Sequence, residues 1–237
     1  MNRLSASFRD PSGFVFSHNG IIHRQVNSRY APEYEQLMAS GLYEALTQKQ
    51  WLIRHEEVQE PAISADANAY KLLRPEQIPY ISYPYEWCFS QLKDAALLTL
   101  KIAAKALQHD MMLKDASAYN VQFLGSQPLF IDTLSFAPYV EGEPWIAYRQ
   151  FCQHFLAPLA LMAYVDISVA KLLVTQIDGI PLATASRLLP LKTRLKSGLY
   201  SHLHLHAKTQ QRFADSAEDI NTSPVENRKP RISKKAL

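Results

Sequence analysis

Leu113-Lys114-Asp115-Ala116-Ser117-Ala118-Tyr119-Asn120 opens the most informative run of the chain. Val121-Gln122-Phe123-Leu124 follows it, and then Pro128-Leu129-Phe130-Ile131-Asp132. An aspartate, an asparagine five positions on and a second aspartate twelve further flank two short apolar runs of strand character. Phosphoryl transfer to a hydroxyl needs this set: one carboxylate to orient the acceptor, and a carboxamide with a second carboxylate to hold Mg²⁺ against a triphosphate. The bland alternative is that Asp115 caps a turn and Asn120 bonds its own backbone.

Outward from this run, the residues before it predict a long helix over Ser90–His109. Ser90 is its candidate cap, and Leu92, Ala96, Leu100, Ala103 and Leu107 form its apolar stripe. Pro75, Pro79 and Pro84 enforce an extended stretch upstream that carries Tyr80, Tyr83, Tyr85 and Trp87, read as core packing beneath a hinge near residues 82–88, with the lining of a ligand or partner groove as the sharper alternative. Two strands are expected at Gly13–Phe16 and Ile21–Val26, joined by His18-Asn19-Gly20, since Asn-Gly accepts the positive φ of a tight hairpin. A helix is expected from Pro32 to about Leu46, weakened by Ser40-Gly41. Short strands are expected at Trp51–Ile53 and Tyr70–Leu73, and helices over Trp145–Met162 and Val165–Ile177.

Seven glycines in 237 residues, none closer than seven positions to the next, exclude G-x-G-x-x-G, the Walker loop and G-x-S-x-G. A dinucleotide-binding turn and a P-loop are thereby ruled out. The formal charge of +3 is uneven: residues 222–237 hold five basic residues and one acid, leaving residues 1–221 at −1. A near-neutral body argues against a nucleic-acid partner. Cys88 and Cys152, far apart in apolar surroundings, suit a reducing compartment. The apolar stretch Phe155–Val165 is too short for a membrane span. A soluble, cytoplasmic protein is the expectation.

The Asp115, Asn120 and Asp132 pattern resembles the catalytic segment of the protein-kinase-like fold, above all its aminoglycoside- and sugar-phosphotransferase branch. The resemblance implies an α+β, two-lobed fold with a small β-rich lobe over residues 1–87 and a mainly helical lobe over 88–213. Residues 214–237 are read as a disordered basic tail or linker stub. It also implies ATP and Mg²⁺ as cofactors and a small-molecule acceptor, with Asp115 as the catalytic residue and Asn120 and Asp132 on the metal. Arg24 and Lys71 are the candidate cations of the small lobe, with Glu33 or Glu35 as helix partners, and Lys114 is a candidate phosphate contact. The sequence departs from the pattern in having Leu113-Lys114-Asp115 for the usual triplet, Ser117 two positions after the aspartate, Asp132-Thr133-Leu134 for Asp-Phe-Gly, and no Gly-rich lid.

A second resemblance is broader. FRDPSGFVF (8–16), ISYPYEWCFSQLKDAALLTL (81–100), LKDASAYNVQFL (113–124), FIDTLSFAPY (130–139) and PWIAYRQFCQHFLAPLAL (144–161) are similar to the N-terminal part of longer bacterial proteins classed as class I S-adenosylmethionine-dependent methyltransferases. This implies a methyltransferase domain or subunit as partner, and S-adenosylmethionine as cofactor only where a downstream domain exists. Two functions follow as expectations: a kinase-like module that binds ATP·Mg²⁺ and phosphorylates a small molecule, or a pseudokinase-type recognition module serving a methyltransferase. His202, His204 and His206 read as an ordinary amphipathic segment, with metal binding as the sharper alternative.

Overall fold

In the computed structural model of the chain, residues 2–3, 10–59 and 68–209 are described. The expected tail at 214–237 lies outside them. The fold is mixed α+β, with a small antiparallel sheet in the N-terminal part and a helical C-terminal part, compatible with a kinase-like two-lobed architecture. The chain divides into two compact units. Unit 1 comprises residues 1–81, 100–114 and 121–140; unit 2 comprises 82–99, 115–120 and 141–237.

Unit 1 is built on a five-stranded antiparallel sheet. Its strands are β1 (Asn2–Arg3), β2 (Gly13–His18), β3 (Ile21–Asn27), β4 (His55–Glu57) and β5 (Ala69–Pro75), in the order β1-β2-β3-β5-β4. Asn19 and Gly20 both take positive φ (51° and 78°), so the β2–β3 hairpin closes as its sequence demands. Gly13 starts β2 where a side chain has no room: a Cβ there would lie 2.1 Å from the Gln25 carbonyl oxygen and 2.8 Å from Leu134 Cδ1. One sheet face carries Val26 and Leu73, buried with Tyr30, Tyr34 and Leu134. The other carries Phe14 and Phe16 against Leu72.

The helix expected over Pro32–Leu46 is two helices, α1 (Ala31–Ala39) and α2 (Leu42–Gln48). Gly41 sits between them at φ 73°, a left-handed turn that ends the first. Trp51–Ile53 make only a bridge, from Leu52 to Phe130, with backbone bonds on either side. Unit 1 also holds two small antiparallel ladders. β6 (Met111–Leu113) pairs with β9 (Phe136–Pro138), and β7 (Val121–Leu124) pairs with β8 (Gln127–Phe130).

The long helix α3 (Phe89–Leu107) contributes its first eleven residues to unit 2 and the remainder to unit 1. Ser90 lies inside it and is not the cap. Instead Gln91 Oε1 accepts the Cys88 amide at 3.0 Å, reaching back over the first turn. Within unit 2 the expected 145–162 helix starts late. α4 (Tyr148–Phe151), a π-helical turn (Cys152–Leu156) and α5 (Ala157–Tyr164) follow one another, burying Phe155, Ala160 and Leu161. The expected 165–177 helix is a 3₁₀ segment (Ile167–Lys171) and the short α6 (Leu172–Thr175), begun by Asp166 accepting the Ser168 amide. α7 (Leu182–Leu188), a 3₁₀ turn (Leu191–Leu195) and α8 (Ser197–Leu199), prolonged by a π-helical turn (Tyr200–Leu205), complete the described chain. The aromatic stretch is not wholly core: Trp87 is buried, but Tyr80 and Tyr83 are exposed. No described helix is long and apolar enough to cross a membrane.

Candidate functional site

The clearest assembly of the sequence-selected residues lies in unit 1, around Tyr30. This phenol ends the 3₁₀ turn Ser28–Tyr30 between β3 and α1 and is 1% exposed. Its hydroxyl donates to the Phe136 carbonyl at 2.7 Å and accepts the Phe136 amide at 3.3 Å, fastening β9 to the start of α1. Burial pushes its pKa far up, and the nearby Asp132 charge adds to this.

Asp132 stands between β8 and β9. Arg24 Nη1 from β3 forms an ion pair with Asp132 Oδ1, the Leu134 amide donates to the same oxygen at 3.2 Å, and the Ser135 hydroxyl donates to Oδ2. Burial alone would raise this carboxyl's pKa. The Arg24 charge and these hydrogen bonds outweigh it and hold the group below the usual carboxylate range. Lys114 joins the cluster: its amide donates to the Ser135 carbonyl at 2.7 Å, and its Nζ sits 4.4 Å from the Tyr30 ring centroid. Glu33, on the first turn of α1, also bears electrostatically on the Tyr30 phenol, and its Oε2 is buried with no hydrogen-bond partner among the described residues.

Arg24, Lys114 and Asp132 are therefore brought together, and Lys71 is not among them. Register explains why both cations were candidates. Arg24 lies opposite Leu73 and Lys71 opposite Val26, so both belong to the face that carries Val26 and Leu73. Lys71 Nζ instead donates to Glu57 Oε2 at 2.6 Å, while Tyr34 donates to Glu57 Oε1 at 3.0 Å. Tyr34 also contacts His55 Nε2 at 3.1 Å. Glu35 accepts from Tyr70 at 2.5 Å and does not pair with Arg24 or Lys71.

Asp115 and Asn120 belong to unit 2. Asp115 Oδ1 accepts the Ser117 amide at 2.9 Å, an Asx-type turn, and Asn120 ends the 3₁₀ turn Ala118–Asn120. Two side chains from the 148–156 segment hold this loop. Gln150 Oε1 accepts the Ala116 amide at 2.7 Å, and His154 Nδ1 accepts the Ala118 amide at 3.4 Å. The Tyr119 ring meets His154 edge-on. Burial lowers the His154 pKa to about 4, so the imidazole is neutral and able to accept.

This chain is similar to Nodulation protein NoeA of Rhizobium meliloti (strain 1021). The two are 36% identical over 224 residues, which is 93% of this chain and 46% of that protein. The chain thus spans about half the length of the curated relative it matches. No protein-family model matches the chain.

Sequence reasoning missed Tyr30, Ser135 and Gln150; Tyr30 and Gln150 act through partners remote in sequence. Ser135 alone had a local signal, lying three residues after Asp132 as a side chain able to close a turn. The histidine trio gathers no metal set: among the described residues no group of three His, Cys, Asp or Glu is arranged to hold an ion. His202 Nδ1 lies 2.5 Å from the Tyr148 hydroxyl and His206 stacks on the same ring, while His204 bonds to Ser186 and Thr193.

Proposed function

We propose that this chain is a kinase-like recognition module, not a phosphotransferase in its own right, serving a longer protein or a methyltransferase partner. The observation that carries this reading is the commitment of Asp132. The kinase-like fold implies Mg²⁺ at this carboxylate, yet Oδ1 receives the Arg24 guanidinium and the Leu134 amide, and Oδ2 receives the Ser135 hydroxyl. A divalent cation there would stand against a guanidinium in a site largely withdrawn from water, where like charges repel strongly. The residues present do not fit the metal. Support for a role within something larger comes from the alignment of 93% of this chain to 46% of its relative. That relative's name ties it to nodulation, and we extend the same process to this chain as part of the proposal.

A second reading keeps phosphoryl transfer from ATP·Mg²⁺ to a small molecule. It is favoured by Glu33, whose Oε2 is buried with no hydrogen-bond partner among the described residues and whose charge bears on the same Tyr30 phenol as Arg24 and Asp132; an Arg24 turned to that carboxylate would leave Asp132 open to metal. Thermal stabilisation by millimolar Mg·ATP and by S-adenosylmethionine, measured side by side on the wild type and on Asp132→Asn, separates the two. The recognition reading expects no Mg·ATP shift in the wild type and co-purification of a methyltransferase in native pulldowns. A Mg·ATP shift that Asp132→Asn abolishes would establish the second reading instead.

A further inference from the structure

The last elements of unit 2 frame a half-open cavity of about 830 Å³, formed by α7, the Leu191–Leu195 turn and the helix that begins with α8. That volume is within the range of roughly 300–1,000 Å³ typical of small-molecule sites. Its wall is chemically one-sided. Arg187, Arg194 and Lys208 line it and no acidic residue does. Residues 179–209 contain no Asp or Glu at all, against the basic residues Arg187, Lys192, Arg194, Lys196 and Lys208. Among the described residues, none of the three lining cations takes part in an ion pair. Three like charges around one concavity repel each other, and an anion placed among them relieves that repulsion.

Most of the remaining wall is apolar, and part of it is wet; Ser186, Tyr200 and His204 are its polar members. Leu188, Leu191 and Leu205 are 48%, 73% and 44% exposed, and all three line the cavity. Covering them removes apolar surface from water, worth about 25 cal/mol per Å². The floor is rigid, because His204 ties the three elements together. The Thr193 hydroxyl donates to the Pro190 carbonyl at 2.7 Å, so it accepts from His204 Nε2–H at 2.9 Å, and the Ser186 hydroxyl donates to Nδ1 at 2.8 Å. Burial and the Arg194 charge lower the His204 pKa, which favours the neutral ring, and the charge of the site belongs to the arginines and the lysine.

We propose that this cavity binds an amphiphilic anion: a phosphate or carboxylate head held by Arg187, Arg194 and Lys208, joined to an acyl or aryl body lying on Leu188, Leu191 and Leu205. A bare anion would leave the leucines wet, and a neutral amphiphile would leave the cations uncompensated. The proposal does not rest on the recognition reading given above.

Calorimetry on the full chain tests it with four probes, each below its micelle-forming concentration: dodecyl phosphate, laurate, inorganic phosphate and dodecyl maltoside. The two amphiphilic anions are expected to bind at least about tenfold more tightly than either inorganic phosphate or dodecyl maltoside, a gap of about 1.4 kcal/mol. Arg187→Gln/Arg194→Gln removes two exposed lining charges and is expected to weaken dodecyl phosphate by about tenfold or more. Lys192→Gln/Lys196→Gln removes equal charge outside the lining and is expected to leave affinity unchanged. Leu191→Asn is expected to weaken the dodecyl probes but not inorganic phosphate. Co-sedimentation with phosphatidylglycerol and phosphatidylcholine vesicles separates a free ligand from a bilayer headgroup. Equal affinity for phosphate and dodecyl phosphate, equal loss in the two double variants, or vesicle binding without binding of the free amphiphile would each overturn the cavity as the site.

Discussion

Arg24 and Asp132, 108 positions apart in sequence, form an ion pair whose side chains are only 17% and 14% exposed. Such a pair tolerates the loss of both partners better than the loss of one, because a lone buried charge has no compensation. Arg24→Met is expected to destabilise the protein by about 3–5 kcal/mol, and Arg24→Met/Asp132→Leu by clearly less. Urea denaturation of the two variants beside the wild type checks the ranking. The single variant is expected to lose less at low pH, where the abandoned carboxyl takes up a proton. A double variant as unstable as the single one would mean that the carboxylate itself, through Ser135 and Leu134, is what the fold needs.

Tyr30→Phe isolates the hydroxyl that fastens β9. The ring and its Lys114 contact survive, but the Phe136 carbonyl loses its donor in a site sealed from water. The expected cost is about 1–3 kcal/mol, the penalty for a buried polar group left unsatisfied. Faster hydrogen exchange at the Phe136 amide, which donates to the same oxygen, would place the loosening at β9. An unchanged exchange rate there would show that the β6–β9 ladder holds β9 unaided.

The β2–β3 hairpin was legible because Asn19-Gly20 states its own backbone conformation, and the helix break at Gly41 was half-legible for the same reason. Pairings between remote short segments were not. Met111–Leu113 and Phe136–Pro138 are three residues each, too brief for a period to declare itself, and their partnership is visible only in the fold. Among the candidate site residues, the sequence supplied both Arg24 and Lys71, and nothing local could choose between them. The choice is made by Glu57, which draws Lys71 away, and by the return of the chain at Asp132. The basic cavity went unnoticed for a different reason. Net charge summed over residues 1–221 conceals a stretch from 179 to 209 without a single acid.

Gly13 is required by proximity, not by its φ. Gly13→Ala drives a methyl group onto the Gln25 carbonyl and Leu134, forcing β2 away from its neighbours. The expected loss is about 1–3 kcal/mol, in the range for overpacking a tight site. Gly198→Ala is the control: nothing lies within 4 Å of its added Cβ, and the position is helical. There the stability is expected to stay within about 0.5 kcal/mol of wild type or to rise. Thermal denaturation of the two proteins in parallel gives the comparison, and equal melting temperatures would contradict it.

His154 gives the protein a specific sensitivity to acid. Burial lowers its folded pKa from 6.5 to about 4, and the Asp178 charge opposes that only in part. A histidine depressed in this way is neutral in the fold and takes up its proton on unfolding. Its stabilisation is therefore complete above pH 6.5, declines as the pH falls, and levels off below about 4. The full span is about 3 kcal/mol. His55 in unit 1 is lowered to about 4 by the same cause, so the wild type draws on at least two such groups between pH 6.5 and 4. His154→Gln removes one of them. Urea titrations at pH 7.5, 6, 5 and 4.5 are expected to show a stability–pH slope near pH 5 that is shallower than wild type by about 1.4 kcal/mol per pH unit. The variant is also expected to be the weaker protein at pH 7.5, where the Ala118 amide loses its imidazole acceptor. Identical slopes would mean that His154 keeps its proton in the fold, and an imidazolium cannot accept the Ala118 amide at Nδ1.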